Sequence, residues 1–255
     1  MRNLILLFIA FLSYSLVYSQ HPGDYPKNVQ KLINAYPQSI LGFDGENIIL
    51  KNGYKIKYDV STNLSHGDLL NSEKIGDMFV YPYLKGQINH IQKNYDPGRI
   101  RNEELLKAMY GSSSADVQKT LVTIVWCPKL VNQKLTVTSV NGVAEQLQKI
   151  SEELDNYPEF EDYLKSAGTF NWRKVRGSDR LSSHSFGTAI DLNVKYSNYW
   201  QWDCRCTDEN KELRYKNQIP QLIVDVFEKY GFIWGGKWYH YDTMHFEYRP
   251  ELLLD

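Results

Sequence analysis

Two short segments near the C-terminus contain the residue types that bind a transition metal. The first segment contains His184 and Asp191, and the second contains Asp242 and His245. Two imidazoles and one carboxylate, from His184, Asp191 and His245, match the three protein ligands of a catalytic zinc site, whose fourth position stays open. A zinc ion in such a site lowers the pKa of a bound water and polarises a carbonyl oxygen. These residue types therefore predict metal-assisted hydrolysis.

The first segment is predicted to present its carboxylate from a strand. Apolar and polar residues alternate over residues 188–194, so that Asp191 projects away from the buried face. His184 lies seven residues earlier and would face the opposite side of a continuous strand. We expect Gly187 to supply a turn that brings the imidazole back to the carboxylate.

The second segment repeats this pattern in residues 239–253. His245 and Glu247 are expected to face the site while their apolar neighbours face the core. Asp242 can reach the same water if the chain turns directly after it, and it would then act as general base. Glu247 is either an acceptor that orients the imidazole of His245 or a plain surface carboxylate. His240 is a competing ligand candidate at the rim.

The two segments together form a pattern that resembles the M15 family of zinc metallopeptidases, which includes D-Ala-D-Ala carboxypeptidases and peptidoglycan endopeptidases. The resemblance covers residues 168–253, about a third of the chain. The positions that carry it are Ser182-x-His184-x-x-Gly187-x-Ala189-x-Asp191, followed by Asp242-x-x-His245.

The resemblance implies roles for several residues. Zinc would be held by His184, Asp191 and His245, with Asp242 acting on the water. Many relatives have Glu at the base position, whereas Asp resembles the branch of L-alanyl-D-glutamate endopeptidases, so the bond that is cleaved stays open.

The family also places an arginine near the substrate carbonyl. Arg173 is the best match for it, with Arg176 and Arg180 as rivals. Ser182, together with Arg173, is assigned to substrate binding. The implied fold is the zinc DD-peptidase (hedgehog/DD-peptidase-like) fold.

Two classes of function follow from the resemblance. The first is a zinc peptidase that hydrolyses the stem peptide of peptidoglycan or muropeptides, either as a D-alanyl-D-alanine carboxypeptidase or as an L-alanyl-D-glutamate-type endopeptidase. The alternative is a non-catalytic module that binds cell-wall peptides on the same scaffold. Because the base and all three ligands are present, we favour the enzyme. A monomer is expected.

The overall composition excludes other classes of partner. The chain of 255 residues has 29 Lys and Arg against 30 Asp and Glu, a net charge of −1, so nothing attracts it to nucleic acid or an anionic membrane surface. Hydrophobic residues make up 42% of the chain, which is enough to form a core.

Residues 1–19 are typical of a secretory signal peptide. Arg2 precedes an apolar run from Leu4 to Leu12, and the small Ser19 lies at a plausible cleavage point. A membrane anchor is the alternative, but the run is shorter than the roughly 20 residues that a spanning helix needs. We expect a periplasmic or secreted protein that begins near Gln20, without stable membrane insertion after cleavage.

Three cysteines, Cys127, Cys204 and Cys206, remain in the mature chain. An odd number allows one disulfide and one free thiol. Two cysteines in a Cys-x-Cys spacing would close a tight, strained ring, so a bridge from Cys127 to Cys204 or Cys206 is expected.

After the signal segment we expect two regions, an accessory region over residues 20–115 packed on a catalytic domain over residues 116–255. Strands and helices are mixed without a regular βαβ period, which predicts an α+β fold with a small, largely antiparallel sheet flanked by helices. The expected elements are a hairpin at 47–58 around Asn52-Gly53, irregular structure over 61–102, helices at 102–111, 141–156 and 220–231, a strand at 121–127, and a loop at 196–206.

Overall fold

The computed structural model describes residues 25–255, so the predicted signal segment lies outside the described part of the chain. Helices and short antiparallel sheets are mixed along that part, which confirms the predicted α+β class. No helix within residues 25–255 is long and apolar enough to cross a membrane. The helices are α1 (Lys27–Ala35), α2 (His66–Leu70), α3 (Glu103–Tyr110), α4 (Ser114–Gln118), α5 (Val143–Leu154), α6 (Glu161–Leu164), α7 (Trp200–Cys204) and α8 (Gln221–Lys229). The strands are β1 (Ile40–Phe43), β2 (Asn47–Leu50), β3 (Lys55–Lys57), β4 (Leu121–Trp126), β5 (Gln133–Thr138), β6 (Ala189–Asp191), β7 (Phe232–Trp234) and β8 (His245–Tyr248).

The first sheet contains β1, β2 and β3 in that order, all antiparallel. Strands β2 and β3 form the hairpin predicted around Asn52-Gly53, and Gly53 adopts a φ of 84° that suits glycine in such a turn. The predicted irregular segment, residues 61–102, is only partly irregular because it contains α2 and a 3-10 turn at Ile75–Phe79. Helix α2 forms because Ser65 caps it by accepting a hydrogen bond from the backbone N–H of Asp68.

The predicted helices and strand of the middle region are confirmed, with small differences at their ends. Helix α3 begins after Asn102, whose side chain accepts a hydrogen bond from the backbone N–H of Leu105. Helix α5 starts two residues later than expected, because Asn141 and Gly142 adopt left-handed conformations. Helix α8 begins directly after Pro220, a residue that favours the start of a helix.

Strands β4 and β5 form a second, two-stranded sheet, and a third sheet with the order β6, β8, β7 sets the register of the candidate site. Antiparallel pairing of β6 with β8 places Asp191 opposite His245 and Ala189 opposite Glu247. The sheet rests on α8, where Phe227 stacks on Phe246 with ring centroids 4.0 Å apart. Because Phe246 is fully buried and points away from the site, its two neighbours on β8 point toward it.

One hydrophobic core joins the N-terminal region to the remainder of the chain. It contains Ile48 from the first sheet, Leu147 from α5 and Phe246 from the third sheet, all fully buried. Burial of one such side chain stabilises the fold by about 1.5–3 kcal/mol. The predicted boundary near residue 115 stays a prediction.

The cysteine prediction is wrong. Cys204 and Cys206 form the disulfide, with their Cα atoms 5.2 Å apart, and Cys127 is free and buried. The bridge is possible because Arg205 turns the chain with a φ of 53°, and it brings the two cysteines together at the end of α7. The segment predicted as a loop, residues 196–206, therefore contains a short helix.

Candidate metal centre

His184 lies in a 3-10 turn, Ser183–Phe186, just before β6. The Ser182 hydroxyl caps this turn by accepting a hydrogen bond from the backbone N–H of His184. Gly187 ends the turn with a φ of 67°, and an added Cβ would lie 3.0 Å from the backbone nitrogen of Thr138. The turn expected at Gly187 is therefore present, and it directs the imidazole toward β6 and β8.

The structure brings His184, Asp191 and His245 together. Nε2 of His184 lies 3.2 Å from Nδ1 of His245 and 3.1 Å from Oδ1 of Asp191, and the last two atoms are 3.0 Å apart. Zinc bonds of about 2.0–2.2 Å hold tetrahedral donor atoms roughly 3.3 Å apart. Both histidines are buried, and the Asp191 side chain is 21% exposed. The three donor atoms thus form one face of a tetrahedron.

The charges in this group favour a cation. Burial alone would raise the pKa of Asp191, but the imidazoles of His184 and His245 lower it far below its usual range. Burial alone would lower the pKa of His245, but hydrogen bonds with Asp191 and Glu247 raise it to about 10. The site therefore stabilises positive charge between these side chains, as a metal centre must.

Each imidazole is oriented through the nitrogen that faces away from the three donor atoms. Nδ1 of His184 donates to the backbone carbonyl of Thr169. Nε2 of His245 lies 3.1 Å from Oε2 of Glu247 and 3.2 Å from the Ser183 hydroxyl. Such partners fix the tautomer of a ligating histidine, so that the other nitrogen carries the lone pair.

Glu247 is itself held by two arginines. Arg101 donates to its Oε2 at 2.6 Å, and Arg249 donates to its Oε1 at 3.2 Å. Of the two expectations for Glu247, the orienting acceptor fits its position, since the carboxylate is fully buried. Sequence reasoning missed both arginines. Arg249 lies two residues from Glu247, on the same side of an extended chain, but nothing in the spacing pointed to Arg101, which is 146 residues away.

Asp242 lies beside the three donor atoms, at the end of a tight turn. Its backbone N–H donates to the Gly235 carbonyl, and a Cβ at Gly235 would lie 2.6 Å from the Asp242 carbonyl oxygen. Its Oδ1 is inaccessible and has no hydrogen-bond partner within the described residues. Burial and the Asp191 carboxylate raise the pKa of Asp242 to about 7, and a bound dication would lower it. A carboxylate with a pKa near neutrality is suited to accept and release protons.

The three candidate arginines differ in their surroundings. Arg173 is exposed, and its guanidinium lowers the pKa of Asp242 against the raising effect of burial. Arg180 points elsewhere, because its Nη1 donates to the backbone carbonyl of Arg99. Arg176 is exposed. Arg173 is therefore placed to act near the proposed base, while its role and that of Ser182 in substrate binding stay predictions.

His240 does not join this group. Its Nδ1 lies 2.7 Å from the Asp96 carboxylate, in a separate set of side chains. The neighbouring Trp238 does contact the site, with its ring centroid 5.7 Å from that of His245.

A cleft of about 1270 Å³ lies apart from this group, between the hairpin tip and α3. Arg101 and Arg180 line it, but none of the three candidate ligands does. Donor-atom geometry, and not cavity size, therefore locates the candidate site.

One comparison with known proteins bears on this geometry. Residues 176–248 match a peptidase family of the M15 group that is described as D-alanyl-D-alanine carboxypeptidase. The matched stretch contains His184, Asp191, Asp242 and His245. No curated protein and no solved structure significantly matches the chain. The match supports an M15 peptidase-like stretch at residues 176–248, which contains the three donor residues.

Proposed function

We propose that this chain is a periplasmic or secreted zinc metallopeptidase that hydrolyses peptide bonds in the stem peptides of peptidoglycan. The observation that carries the proposal is the group of three donor atoms, all within 3.2 Å of one another, inside the stretch that matches the peptidase family. The small antiparallel sheets and their helices are compatible with the zinc DD-peptidase fold, which is part of the proposal.

The residues present fit a zinc ion. His184, Asp191 and His245 provide two nitrogens and one oxygen with suitable spacing, and both imidazoles have an orienting partner on the other nitrogen. Zinc, when bound by these residues, supplies a Lewis acid that polarises the scissile carbonyl and makes water more acidic.

Asp242 performs the proton transfers. Its carboxylate takes a proton from the attacking water, and the same carboxyl then gives that proton to the leaving amine. Arg173, whose charge lowers the pKa of Asp242, donates hydrogen bonds to the negative charge that develops on the carbonyl oxygen. The bond cleaved is D-Ala-D-Ala in a carboxypeptidase or L-Ala-D-Glu in an endopeptidase.

Digestion of purified muropeptides tests this function. The protein is stripped with a chelator, reloaded with Zn²⁺ and incubated with muropeptides that contain pentapeptide stems, and the products are identified by mass spectrometry. Release of terminal D-alanine identifies the carboxypeptidase, and a stem cut after L-alanine identifies the endopeptidase. If the zinc-loaded protein binds muropeptides but leaves them uncleaved, the proposal is contradicted and the non-catalytic binding module is supported.

A further inference from the structure

A second group of histidines and carboxylates lies outside the candidate metal centre. It contains His66 at the start of α2, Asp96 in the following irregular segment, Glu209 after α7, and His240 between β7 and β8. One nitrogen or oxygen from each residue lies within 4.8 Å of the others. We propose that these four residues form a second metal site, separate from the first, which holds a structural zinc ion.

His66 points an unpartnered nitrogen into this group. Its Nε2 lies 3.2 Å from Oδ2 of Asp96 and 3.7 Å from Oε2 of Glu209. The side chain is 10% exposed, yet this buried nitrogen makes no hydrogen bond. An imidazole nitrogen buried between two carboxylates, with no hydrogen bond of its own, has the position and the lone pair of a metal ligand.

His240 presents its lone pair to the same point. Its Nε2 lies 2.9 Å from the backbone carbonyl of Glu209, an acceptor, so this nitrogen carries the hydrogen. The neutral ring then directs the lone pair of Nδ1 at Oδ2 of Asp96, which is 2.7 Å away. Two lone pairs so close together need either a proton between them or a metal ion beside them that binds both.

Both imidazoles also have the outer partners that are typical of metal ligands. The Tyr81 hydroxyl lies 3.3 Å from Nδ1 of His66, and the Glu209 carbonyl accepts from Nε2 of His240. These contacts leave one nitrogen of each ring for the centre of the group. The two rings stack with centroids 5.5 Å apart, which disfavours a positive charge on both.

The charge count also supports a metal ion. Asp96 and Glu209 contribute two negative charges, and Arg99 donates to both, at 2.8 Å and 2.7 Å. Each carboxylate oxygen has two lone pairs and can accept from Arg99 while it ligates a metal. Arg99 balances one of these charges, so the other needs either a proton on an imidazole or a metal ion within the group.

The donor set points to zinc in a structural role. Two imidazole nitrogens and two carboxylate oxygens would fill all four positions around a tetrahedral zinc ion and leave none open for water, as in sites that stabilise a fold. The ion would join the irregular N-terminal segment, the chain after the disulfide, and the loop 235–242 that carries Asp242.

Metal counting tests the second site. The protein is expressed from its full sequence, purified, stripped of metal with a chelator, reloaded with Zn²⁺ and desalted, and its zinc content is then measured by inductively coupled plasma mass spectrometry. We expect two zinc ions per chain. The variant His184→Ala/His245→Ala should retain one ion, because it leaves His66 and its partners unchanged. His66→Ala should also retain one, and the exposed control His90→Ala should retain two.

The outcomes separate the two sites. If the wild type holds one ion and His184→Ala/His245→Ala holds none, the second group binds a proton and the proposal is overturned, while the first site stands. If His66→Ala does not fold, the double variant alone decides between these results. As a second readout, a chelator should lower the melting temperature of His184→Ala/His245→Ala. An unchanged melting temperature, with no zinc bound, overturns the second site.

Discussion

The two groups of histidines and carboxylates use the same residue types in different surroundings. In the His184 cluster, formed by His184, Asp191 and His245, the carboxylate side chain is 21% exposed. In the His66 cluster, formed by His66, Asp96, Glu209 and His240, Asp96 is fully buried. The Glu209 side chain is 36% exposed, so exposure alone does not separate the two clusters. The number of donor residues does, because three leave one tetrahedral position open and four would fill it.

Burial raises the pKa of Asp242 and of Asp96, yet the net pKa shifts of the two acids are opposite. Burial and the neighbouring Asp191 raise the pKa of Asp242 to about 7. Burial alone would also raise the pKa of Asp96, but Arg99 and two imidazoles lower it well below its usual range. A hydrogen-bonded cation such as Arg99 therefore keeps a buried carboxylate charged, whereas a buried carboxyl without such a partner can exchange protons.

The largest expected effect comes from a ligand of the His184 cluster. His245→Ala should remove the ion from this cluster and lower turnover of muropeptides by at least about 10³-fold, because metal assistance contributes several kcal/mol to the transition state. Metal content should fall by one ion per chain. A chelator should still lower the melting temperature of this variant, because the ion of the His66 cluster is retained. Equal zinc content in the variant and wild type would refute the ligand assignment.

The next effect separates chemistry from metal binding. Asp242→Asn keeps the shape of the side chain but removes its basicity, so turnover should fall by about 10² to 10⁴ while zinc content stays unchanged. Asp225→Asn, at an exposed position on α8, serves as the control and should retain full turnover. Near-normal turnover of Asp242→Asn would mean that another group takes the proton.

Arginine variants then test which guanidinium acts on the substrate. Arg173→Ala should lower the turnover by roughly 10² to 10³, because a donor to the developing oxyanion is lost, and zinc should be retained. Arg176→Ala should have a smaller effect on the same assay. A larger loss with Arg176→Ala would reassign the role.

The smallest effect is expected from Arg101, which supports the His184 cluster through Glu247 without being one of its three ligands. Arg101→Met removes a donor to Glu247, which orients His245, so zinc affinity should fall by about 10- to 100-fold. Competition with a chromophoric chelator measures this change, and Arg214→Met, at an exposed position, is the matched control. If the affinities are equal, Arg249 alone suffices to hold Glu247.

Local patterns made much of the fold predictable. The Asn52-Gly53 turn, the cap at Asn102 and the apolar stripe of α5 each depend on residues close together in the sequence, and each appears in the structure. The cysteine prediction failed because it treated the ring of a Cys-x-Cys disulfide as too strained to form. Arg205 adopts a left-handed conformation that no local sequence pattern predicted.

In the candidate site, too, residues in local patterns were predictable and contacts between distant segments were not. His184, Asp191 and His245 were predicted because two short segments carry them with a regular alternation. Arg101 and the His66 cluster were not predicted as contacts. Their members lie in separate segments, and only the packing of residues 66–101 against β8, the loop 235–242 and the chain after α7 brings them together.

The loop 235–242 and the residues up to His245 fix the number of residues that separates the two clusters. His240 belongs to the His66 cluster, His245 belongs to the His184 cluster, and Asp242 lies between them with its carbonyl against Gly235. Deletion or insertion of one residue between His240 and His245 would therefore misalign both clusters at once. A design that transfers this site to another protein therefore has to move residues 235–245, including Gly235, as one segment.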